Sequence, residues 1–248
     1  MARLNSFYCP PERWREPFVL DSGESHHLLK VLRTPPGGVV RLFDGQGREG
    51  LFRLIQADRK GAVLEPESMG RQERASPRLV LAVGWNKAGR RDWLLEKAVE
   101  LEATGLWFWQ ASRSQGRVPE RPKDTWLPKL VAAAKQCASP WLPELATFDS
   151  LQAIMLAASG LPRRYLLWEE PGAELLEPTR DLGGSGDILM VLGPEGGLEA
   201  AETQALLGAG FAPRSLGRRV LRWETAALLG LGLAFWARQR LPDIRVAP

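Results

Sequence analysis

Residues 187–197 read Asp-Ile-Leu-Met-Val-Leu-Gly-Pro-Glu-Gly-Gly, an unbroken apolar segment that runs directly into a glycine-rich loop. The continuous apolar pattern predicts a fully buried strand, which is typical of the centre of a parallel sheet. In the loop, three glycines leave the backbone bare, Pro194 restricts one φ angle and Glu195 is the one side chain able to do chemistry. Ligands bind at the carboxyl ends of such strands in open α/β sheets, so this loop is predicted to bind one.

A second loop, residues 216–226, reads Leu-Gly-Arg-Arg-Val-Leu-Arg-Trp-Glu-Thr-Ala and lies between a predicted short strand and the final helix. Glu224 or Thr225 is placed to cap that helix. Small residues in its first half allow tight packing: Ala226, Ala227, Gly230 and Gly232. Two glycine-bearing loops at strand ends suggest one shared ligand site. The alternative, a plain helix entry with solvated arginines, stays open at this point.

Composition bounds the class of protein. With 248 residues, 44% of them hydrophobic, the chain is long enough for one large or two smaller globular domains. The sequence has no apolar run of the roughly 20 residues that span a bilayer and no signal-peptide pattern at its start, so we expect a cytoplasmic protein with no membrane partner. Two cysteines and two adjacent histidines make neither a disulfide framework nor a zinc site, so we expect no metal.

The charge balance is mildly basic. The formal net charge is +4 and the sequence pI is about 9.3, with arginine supplying most of the cations. The planar guanidinium of arginine suits phosphates and base edges, which favours an RNA or DNA partner. A solvated, arginine-rich surface explains the same composition equally well, so composition leaves the partner open.

The first seventy residues predict a small, β-rich domain. Turn residues at 35–38 and 44–47 help to separate four candidate strands: Phe18–Leu20, Val39–Phe43, Gly50–Gln56 and Gly61–Glu67. Between the first two strands, Ser25 opens a predicted short helix that runs to Arg33. The polar segment 70–77, closed by proline, sets the boundary between a domain of residues 1–72 and a domain of residues 76–248.

Strands and helices alternate after this boundary, which is the rhythm of an α/β domain. The predicted strands are Leu79–Gly84, Leu106–Trp109, Tyr165–Trp168, the segment 187–192 and Arg214–Leu216. The predicted helices are Arg90–Glu102, Trp126–Ala138, Leu151–Ala158, Ala200–Leu207 and a last one from Glu224 to about Trp236. The sequence has no Walker motif, no dinucleotide-binding glycine pattern before a helix and no nucleophile-elbow motif, so the commoner nucleotide-binding and hydrolase folds are not supported.

The two loops are the centre of a longer set of motifs that spans nearly the whole chain. In the α/β part the set also includes Lys87, Arg90-x-Asp92-Trp93, Lys97-Ala98-x-Glu100-Leu101 and Ala133-Ala134-x-Gln136. In the first domain it includes His27-x-x-x-Val31-Leu32-Arg33 and Phe43-Asp44-Gly45. Taken in order and spacing, these motifs resemble the RsmE family of ribosomal RNA uracil-N3 methyltransferases.

The resemblance implies a fold, a cofactor and a partner. The fold is α/β, with an N-terminal PUA-like small β-barrel that binds RNA and a C-terminal SPOUT α/β domain that has a parallel sheet and a deep trefoil knot. The knot loops bind S-adenosyl-L-methionine, and the family acts as a homodimer on 16S ribosomal RNA or the small ribosomal subunit, methylating N3 of a uridine. Two alternatives stay open: a SPOUT methyltransferase with another RNA target, such as a different base or a ribose 2′-O, and a non-catalytic RNA-binding relative.

The resemblance and the chemistry of uracil together suggest roles for the loop residues. The imide proton must leave N3 while negative charge spreads onto O2 and O4. Arg222 is expected to stabilise that charge. Glu195 and Glu224 are expected to orient the base or accept the proton, with Glu195 preferred as the base and helix capping as the alternative for Glu224. The residues expected to contact the cofactor are Leu192, Gly193, Pro194, Gly197, Leu216, Gly217, Leu221 and Thr225.

Five basic residues are candidate RNA contacts. Arg90 and Arg113 match basic positions of the family, with a plain surface charge as the alternative for each. Lys30, Arg33 and Arg41 cluster in the barrel, where an RNA-binding module would contact the phosphate backbone. Some tryptophans could stack on bases, although such positions usually belong to the core: Trp85, Trp107, Trp109, Trp126 and Trp141.

Five positions depart from the family pattern. Ser112 replaces a glutamate that precedes an arginine, Ser139 replaces an arginine, and Glu102 replaces a glycine at a helix end. Trp223 replaces a threonine, and Glu199 replaces a capping serine. These changes lie mostly outside the two loops, so the cofactor prediction rests on better-matched residues than the prediction of the target nucleotide.

Overall fold

The structure is a computed structural model that describes residues 4–58, 61–86, 88–170 and 172–240; Lys87, one of the motif residues above, lies outside them. Backbone contacts group the described residues into two units. The first comprises those through Arg74 together with Leu130–Leu142, and the second comprises Ala75–Lys129 and those from Pro143 onward. The segment 130–142 therefore groups with the first unit, although it follows the predicted domain boundary in the sequence.

Within the described residues, five strands form the sheet of the first unit: β1 (Ser6–Tyr8), β2 (Phe18–Val19), β3 (Val39–Phe43), β4 (Arg48–Asp58) and β5 (Gly61–Arg71). They hydrogen-bond in the order β1-β3-β4-β5-β2, antiparallel except for β1 against β3. Each strand contributes a side chain to one buried core: Phe7, Phe18, Leu42, Phe52 and Leu64. The four predicted strands are confirmed, whereas β1 was not predicted because three residues carry too short a pattern.

The predicted helix of the first unit is present but begins earlier than expected. It consists of α1 (Ser22–His26) followed by a wider turn over His27–Val31. Asp21 caps it, since the carboxylate accepts a backbone N–H of the first turn at 2.8 Å. The prediction that Ser25 opens the helix was wrong, because Ser25 is buried and its hydroxyl bonds two backbone groups outside the helix.

In the described part of the second unit, seven strands form one sheet: β6 (Leu79–Gly84), β7 (Gly105–Trp109), β8 (Glu144–Phe148), β9 (Arg163–Leu167), β10 (Glu174–Leu175), β11 (Ile188–Leu192) and β12 (Ala212–Ser215). The order is β10-β12-β9-β11-β6-β7-β8, and every neighbouring pair is parallel. All residues of β11 are buried and it lies between β9 and β6, which confirms the central, parallel strand expected from its apolar pattern. The outer strands β8 and β10 were not predicted, because their partly exposed residues lack that pattern.

Longer helices follow these strands along the described chain: α2 (Ala88–Glu100), α3 (Leu127–Cys137), α4 (Leu151–Ala157), α5 (Ala200–Gly208) and α6 (Trp223–Gln239). The start of α6 corrects the capping prediction, since its N-cap residue is Arg222 and neither Glu224 nor Thr225 takes that position. Gly230 lets α6 approach the sheet, because a Cβ there would lie 3.2 Å from Leu167 Cδ1. Across the described ranges, every helix is too short or too polar to cross a bilayer.

Asp181 is a buried carboxylate that joins several chain segments of the second unit. It is 3% exposed and accepts hydrogen bonds from the guanidinium groups of Arg180 and Arg214 at 2.8–3.2 Å. The Tyr165 hydroxyl donates to its backbone carbonyl at 2.7 Å. Burial disfavours the charged carboxylate, but hydrogen bonds from the two arginines and a backbone N–H outweigh burial and hold the pKa of Asp181 well below its ordinary value.

Replacing Asp181 with asparagine should destabilise the fold by about 3 kcal/mol at neutral pH, a fall in Tm of roughly 6–12 °C, because two guanidinium groups lose their buried anion. Since the folded-state pKa is depressed, the stabilisation is complete above the ordinary aspartate pKa of about 4 and is lost as the pH falls below it. Thermal unfolding should therefore give Tm values for wild type and Asp181→Asn that differ at neutral pH and converge in acid.

The matched control is Glu174→Gln, which removes an exposed partner of the same two arginines and should change Tm little. A Tm difference between wild type and Asp181→Asn that is as large in acid as at neutral pH would contradict the electrostatic account.

Candidate active site

A cavity of about 390 Å³ opens at the carboxyl ends of β9, β11 and β12. Its wall is formed by the three chain segments that follow these strands, with Arg90 of α2 at one side. Both loops singled out from the sequence contribute to it, through residues between 192 and 198 and between 215 and 226. Ligands bind at this edge of parallel sheets, and the volume is that of a small-molecule site.

The loop after β11 is shaped by close backbone contacts. A Cβ on Gly84, the last residue of β6, would lie 2.3 Å from the backbone N of Pro194 and 2.7 Å from the carbonyl carbon of Gly193, so only glycine fits there. Gly197 has a φ of +72°, in the left-handed region, and its N–H donates to the carbonyl of Pro194 at 2.9 Å. These glycines bring the loop against β6 and turn it at the cavity.

Most of the expected cofactor residues lie on the cavity wall: Leu192, Gly193, Pro194, Gly197, Leu216, Gly217 and Leu221. Thr225 does not, because α6 begins at Trp223 and Thr225 is exposed in its first turn, so we withdraw it from the expected cofactor contacts. Sequence reasoning missed Trp168 and Glu169, which also line the cavity. Their position at the carboxyl end of a predicted strand was an available signal, since such residues share the ligand edge.

The lining of the cavity is chemically mixed. Leucine side chains and Trp168 supply apolar surface, Glu169 and Glu195 supply carboxylates, and three arginines supply guanidinium groups: Arg90, Arg219 and Arg222. Glu169 Oε1 lies 3.7 Å from the position that a Cβ on Gly197 would take, so this carboxylate is close to bare backbone of the first loop. An apolar wall with a few polar groups fits a nucleoside, which has an apolar base face and hydroxyl groups on its sugar.

The structure brings Arg90 together with both candidate carboxylates. The Arg90 guanidinium forms an ion pair with Glu195 Oε1, and its Nη1 lies 3.5 Å from Glu224 Oε2. Gln115 donates from Nε2 to Glu195 Oε2 at 3.0 Å. Glu224 Oε2 is buried and accepts no hydrogen bond from any described residue, so capping of α6 is not its role. Sequence reasoning missed Gln115, which only folding brings to Glu195, 80 residues away.

Arg222 lines the cavity at the N-cap position of α6. Its side chain is exposed and makes no hydrogen bond or ion pair with another residue of the described chain. The guanidinium is therefore available for a negatively charged ligand group, for which its planar set of donors is suited.

Two of the departures from the family pattern meet around Arg113. Arg113 Nη1 donates to the carbonyl of Gly196 at 3.2 Å, and its Nε lies 3.9 Å from Glu199 Oε1. The backbone N–H and the hydroxyl of Ser112 both donate to Glu202 Oε1, at 2.8 and 3.1 Å. The acidic neighbour that Arg113 lacks at position 112 is thus supplied by Glu199, the N-cap residue of α5.

The other three departures have separate local settings. Trp223 is 4% exposed and lines the cavity where the family carries threonine. Glu102 has a φ of +55°, which costs a residue with a side chain about 1 kcal/mol, and its carbonyl accepts from Arg238 Nη2 at 2.7 Å. Ser139, in the first unit, donates to the carbonyl of Trp141 at 2.9 Å.

The basic candidates of the first unit differ in accessibility. Lys30 and Arg33 are exposed. Arg41 is bound by Glu49 at 2.7 Å and by the carbonyl of Ala138 at 3.0 Å, with only 12% of its side chain exposed. Because this guanidinium is already engaged, we withdraw Arg41 from the expected phosphate contacts. Four of the candidate stacking tryptophans are core residues instead: Trp85, Trp107, Trp109 and Trp126.

Comparisons with known proteins identify two domain families in this chain. A family model for the RNA methyltransferase domain matches residues 73–234, and one for the RNA methyltransferase PUA domain matches residues 20–67. Ribosomal RNA small subunit methyltransferase E of Bacillus subtilis is 25% identical over 224 residues, covering 86% of this chain and 88% of the relative. The Mycobacterium bovis protein of the same name is 28% identical over 222 residues, covering 86% and 84%.

Two solved structures are similar over most of both chains. A Legionella pneumophila protein in complex with bound S-adenosylmethionine is 26% identical, with a TM-score of 0.82 and coverage of 95% of this chain and 98% of its own. Ribosomal RNA small subunit methyltransferase E from Neisseria gonorrhoeae, bound to S-adenosylmethionine, is 26% identical, with a TM-score of 0.77 and coverage of 92% and 95%. The chain therefore belongs to the RNA methyltransferase family, and the resemblance to RsmE proteins and the fold class inferred from the sequence, apart from the knot, are confirmed.

Proposed function

We propose that this chain is an S-adenosylmethionine-dependent methyltransferase that modifies N3 of a uridine in the 16S RNA of the small ribosomal subunit. The observation that carries the proposal is the cavity that both glycine-bearing loops form at the carboxyl ends of parallel strands. The names of the relatives and the cofactor in two similar structures support the activity and the cofactor. The trefoil knot stays a prediction from the resemblance.

The two loops and the segment after β9 would hold the cofactor. Gly193 and Gly217 allow its approach without a Cβ in the way, and Leu192, Leu216 and Leu221 supply apolar contact. The cofactor, when bound, supplies a methyl group on a positively charged sulfur. Of the two carboxylates on the cavity wall, Glu195 is paired with Arg90, so Glu169 is the favourable neighbour for that cation.

The residues of the site then have three tasks. They hold an unpaired uridine, because N3 lies on the edge that base pairing covers. They place N3 in line with the methyl group, since correct positioning removes much of the entropic barrier. Arg222 stabilises the negative charge on O2 and O4 while a carboxylate takes the N3 proton. None of these tasks requires a metal.

The RNA substrate would contact basic residues of both domains. We assign RNA binding to the domain of residues 1–72, where Lys30 and Arg33 are exposed, and catalysis to the domain of residues 76–248. Arg113 lies beside Gly196 of the first loop and is a further candidate contact. Arg90 also stays a candidate RNA contact, although its guanidinium already faces Glu195 and Glu224. With ribosomal RNA as substrate, we place the protein in the cytoplasm.

A second candidate function is methylation of a different RNA position by the same cofactor. The observation that favours it is Trp223, which lines the cavity where the family carries threonine and so changes the surface offered to the target nucleotide. A third, RNA binding without catalysis, is the interpretation that follows if the cavity binds no cofactor.

The purified protein should transfer labelled methyl groups from S-adenosylmethionine to unmodified small-subunit RNA or subunits, and mass spectrometry of the digested RNA should identify 3-methyluridine. Arg222→Ala should lower kcat about 100- to 1000-fold while S-adenosylhomocysteine still binds in calorimetry, because the lost interaction serves the developing charge. Arg218→Ala is the matched control, since Arg218 is exposed in the same loop but does not line the cavity. A different methylated position would favour the second candidate, and tight RNA binding without transfer the third.

Gly84→Ala tests the backbone contact beside the cofactor loop. The added Cβ would overlap the Gly193–Pro194 peptide, so the loop must shift, and we expect the Kd of S-adenosylhomocysteine to rise about tenfold or more. Gly208→Ala is the control, because a Cβ there meets nothing within 4 Å. Isothermal titration calorimetry measures both values. An unchanged Kd for Gly84→Ala would show that this contact does not set the affinity.

We also propose that the protein is a homodimer. Large apolar side chains are 36–49% exposed on α2 and α6, which contact each other: Trp93, Leu229 and Trp236. Leu229 and Trp236 are seven residues apart and so share one face of α6. An exposed apolar face of this kind is typical of a surface that another protein chain covers.

Sedimentation equilibrium should therefore give about twice the chain mass of 27.5 kDa. Leu229→Arg combined with Trp236→Glu places charges in the proposed contact and should shift the protein to monomer. Leu156→Arg on α4 should not, although Leu156 is 77% exposed. A wild-type protein that stays monomeric at every concentration measured would exclude the dimer.

A further inference from the structure

The two carboxylates near Arg90 are not equivalent. We infer that Glu224 accepts the N3 proton, while Glu195 is a positioning residue held by Arg90 and Gln115. The inference rests on the proposed function and deepens it, because it gives the two groups separate tasks. It also reverses the preference for Glu195 as the base that the sequence suggested.

Both carboxylate oxygens of Glu195 are already engaged. Oε1 forms the ion pair with Arg90, and Oε2 accepts an amide hydrogen of Gln115 at 3.0 Å. An ionised carboxylate is an acceptor only, so a proton added to either oxygen would turn one of these contacts into two donors facing each other. The contacts of Glu195 therefore favour an anchoring task over proton transfer.

The Glu224 carboxylate makes no hydrogen bond within the described residues. Its Oε2 is buried, with Arg90 Nη1 at 3.5 Å, while 24% of the side chain remains exposed. A proton can be added here without replacing any hydrogen bond. Glu224 also lies two residues after Arg222, so the proton acceptor and the group that stabilises the base come from the same end of α6.

The balance of charge supports the same assignment. Arg90 faces two carboxylates, so its pair with Glu195 leaves one negative charge uncompensated. Arg222, on the same turn as Glu224, forms no ion pair with it in the described chain. A proton on Glu224 removes the excess charge, whereas a proton on Glu195 would leave Arg90 beside a neutral acid and weaken its hold.

The chemical step balances with this assignment. The N3–H bond breaks and its proton moves to a Glu224 oxygen, while the N3 electron pair forms the bond to the methyl carbon. The carbon–sulfur bond breaks and its electron pair stays on sulfur. Glu224 passes the proton to water before the next turnover, and Glu195, Arg90 and Gln115 move no proton.

Single-turnover methylation between about pH 6 and pH 10 separates the two carboxylates. Glu224→Gln should lower the rate about 100- to 10,000-fold at neutral pH, and the residual rate should rise with pH as hydroxide replaces the lost acceptor. Glu195→Gln keeps an acceptor oxygen for Arg90, so it should lower the rate by less than about tenfold and keep the wild-type pH profile. The reverse ranking, or equal losses in both variants, would overturn the assignment.

Two controls keep the outcomes distinct. S-adenosylhomocysteine should bind both variants with a Kd within about threefold of wild type, and thermal unfolding should show that both are folded. If wild type transfers no methyl group to N3 of uridine, the proposed function fails and this inference with it. If wild type and Glu224→Gln are both fully active at N3, only this inference fails.

Gln115→Leu tests the anchoring contact. We expect kcat to fall about three- to tenfold with little change in the KM for RNA, because Glu195 loses orientation while RNA binding is untouched. In a double-mutant cycle, adding Gln115→Leu to Glu195→Ala should cost nothing further, since the partner is already gone. Losses that simply add would show that Gln115 acts through another residue and would overturn its positioning role.

Discussion

The cavity depends on one close approach of two backbones. A Cβ on Gly84 would lie 2.3 Å from the backbone N of Pro194, so the end of β6 and the loop after β11 meet main chain against main chain. Because β11 is buried between β6 and β9, the loop cannot move away without disturbing the centre of the sheet. This contact therefore determines where the loop turns, and with it the position from which Glu195 reaches Arg90.

A second constraint is electrostatic, and it links the loop after β11 to the helices α2 and α6. Arg90 on α2 contacts Glu195, which follows β11, and Glu224 on α6, so one guanidinium joins three chain segments of the second unit. These groups are partly withdrawn from water, and loss of Arg90 would leave two carboxylates without their shared cation. The loop proposed to hold the cofactor and the carboxylate proposed to accept the proton are therefore in contact with the same arginine.

The parts of the fold that could be predicted have local signals. The unbroken apolar run of β11 needs burial on both faces, which a central parallel strand provides, and the bare loop after it marks the ligand edge. Helix starts were less predictable, because Asp21 and Ser25 satisfy the same local pattern one turn apart and packing decides between them. The contact of Gln115 with Glu195 had no local signal at all, since tertiary folding alone joins segments 80 residues apart.

The departures at Ser112 and Glu199 show what is lost when positions are compared one at a time. Compared singly, Ser112 removes an acidic residue before Arg113, and Glu199 replaces the serine that usually caps the following helix. In the fold the two positions are neighbours: Glu199 faces Arg113, and Ser112 donates to Glu202 on the same helix. The negative charge lost at position 112 is regained at position 199, so Arg113 still has one acidic neighbour. The two changes together therefore argue less against an RNA contact by Arg113 than either change does alone.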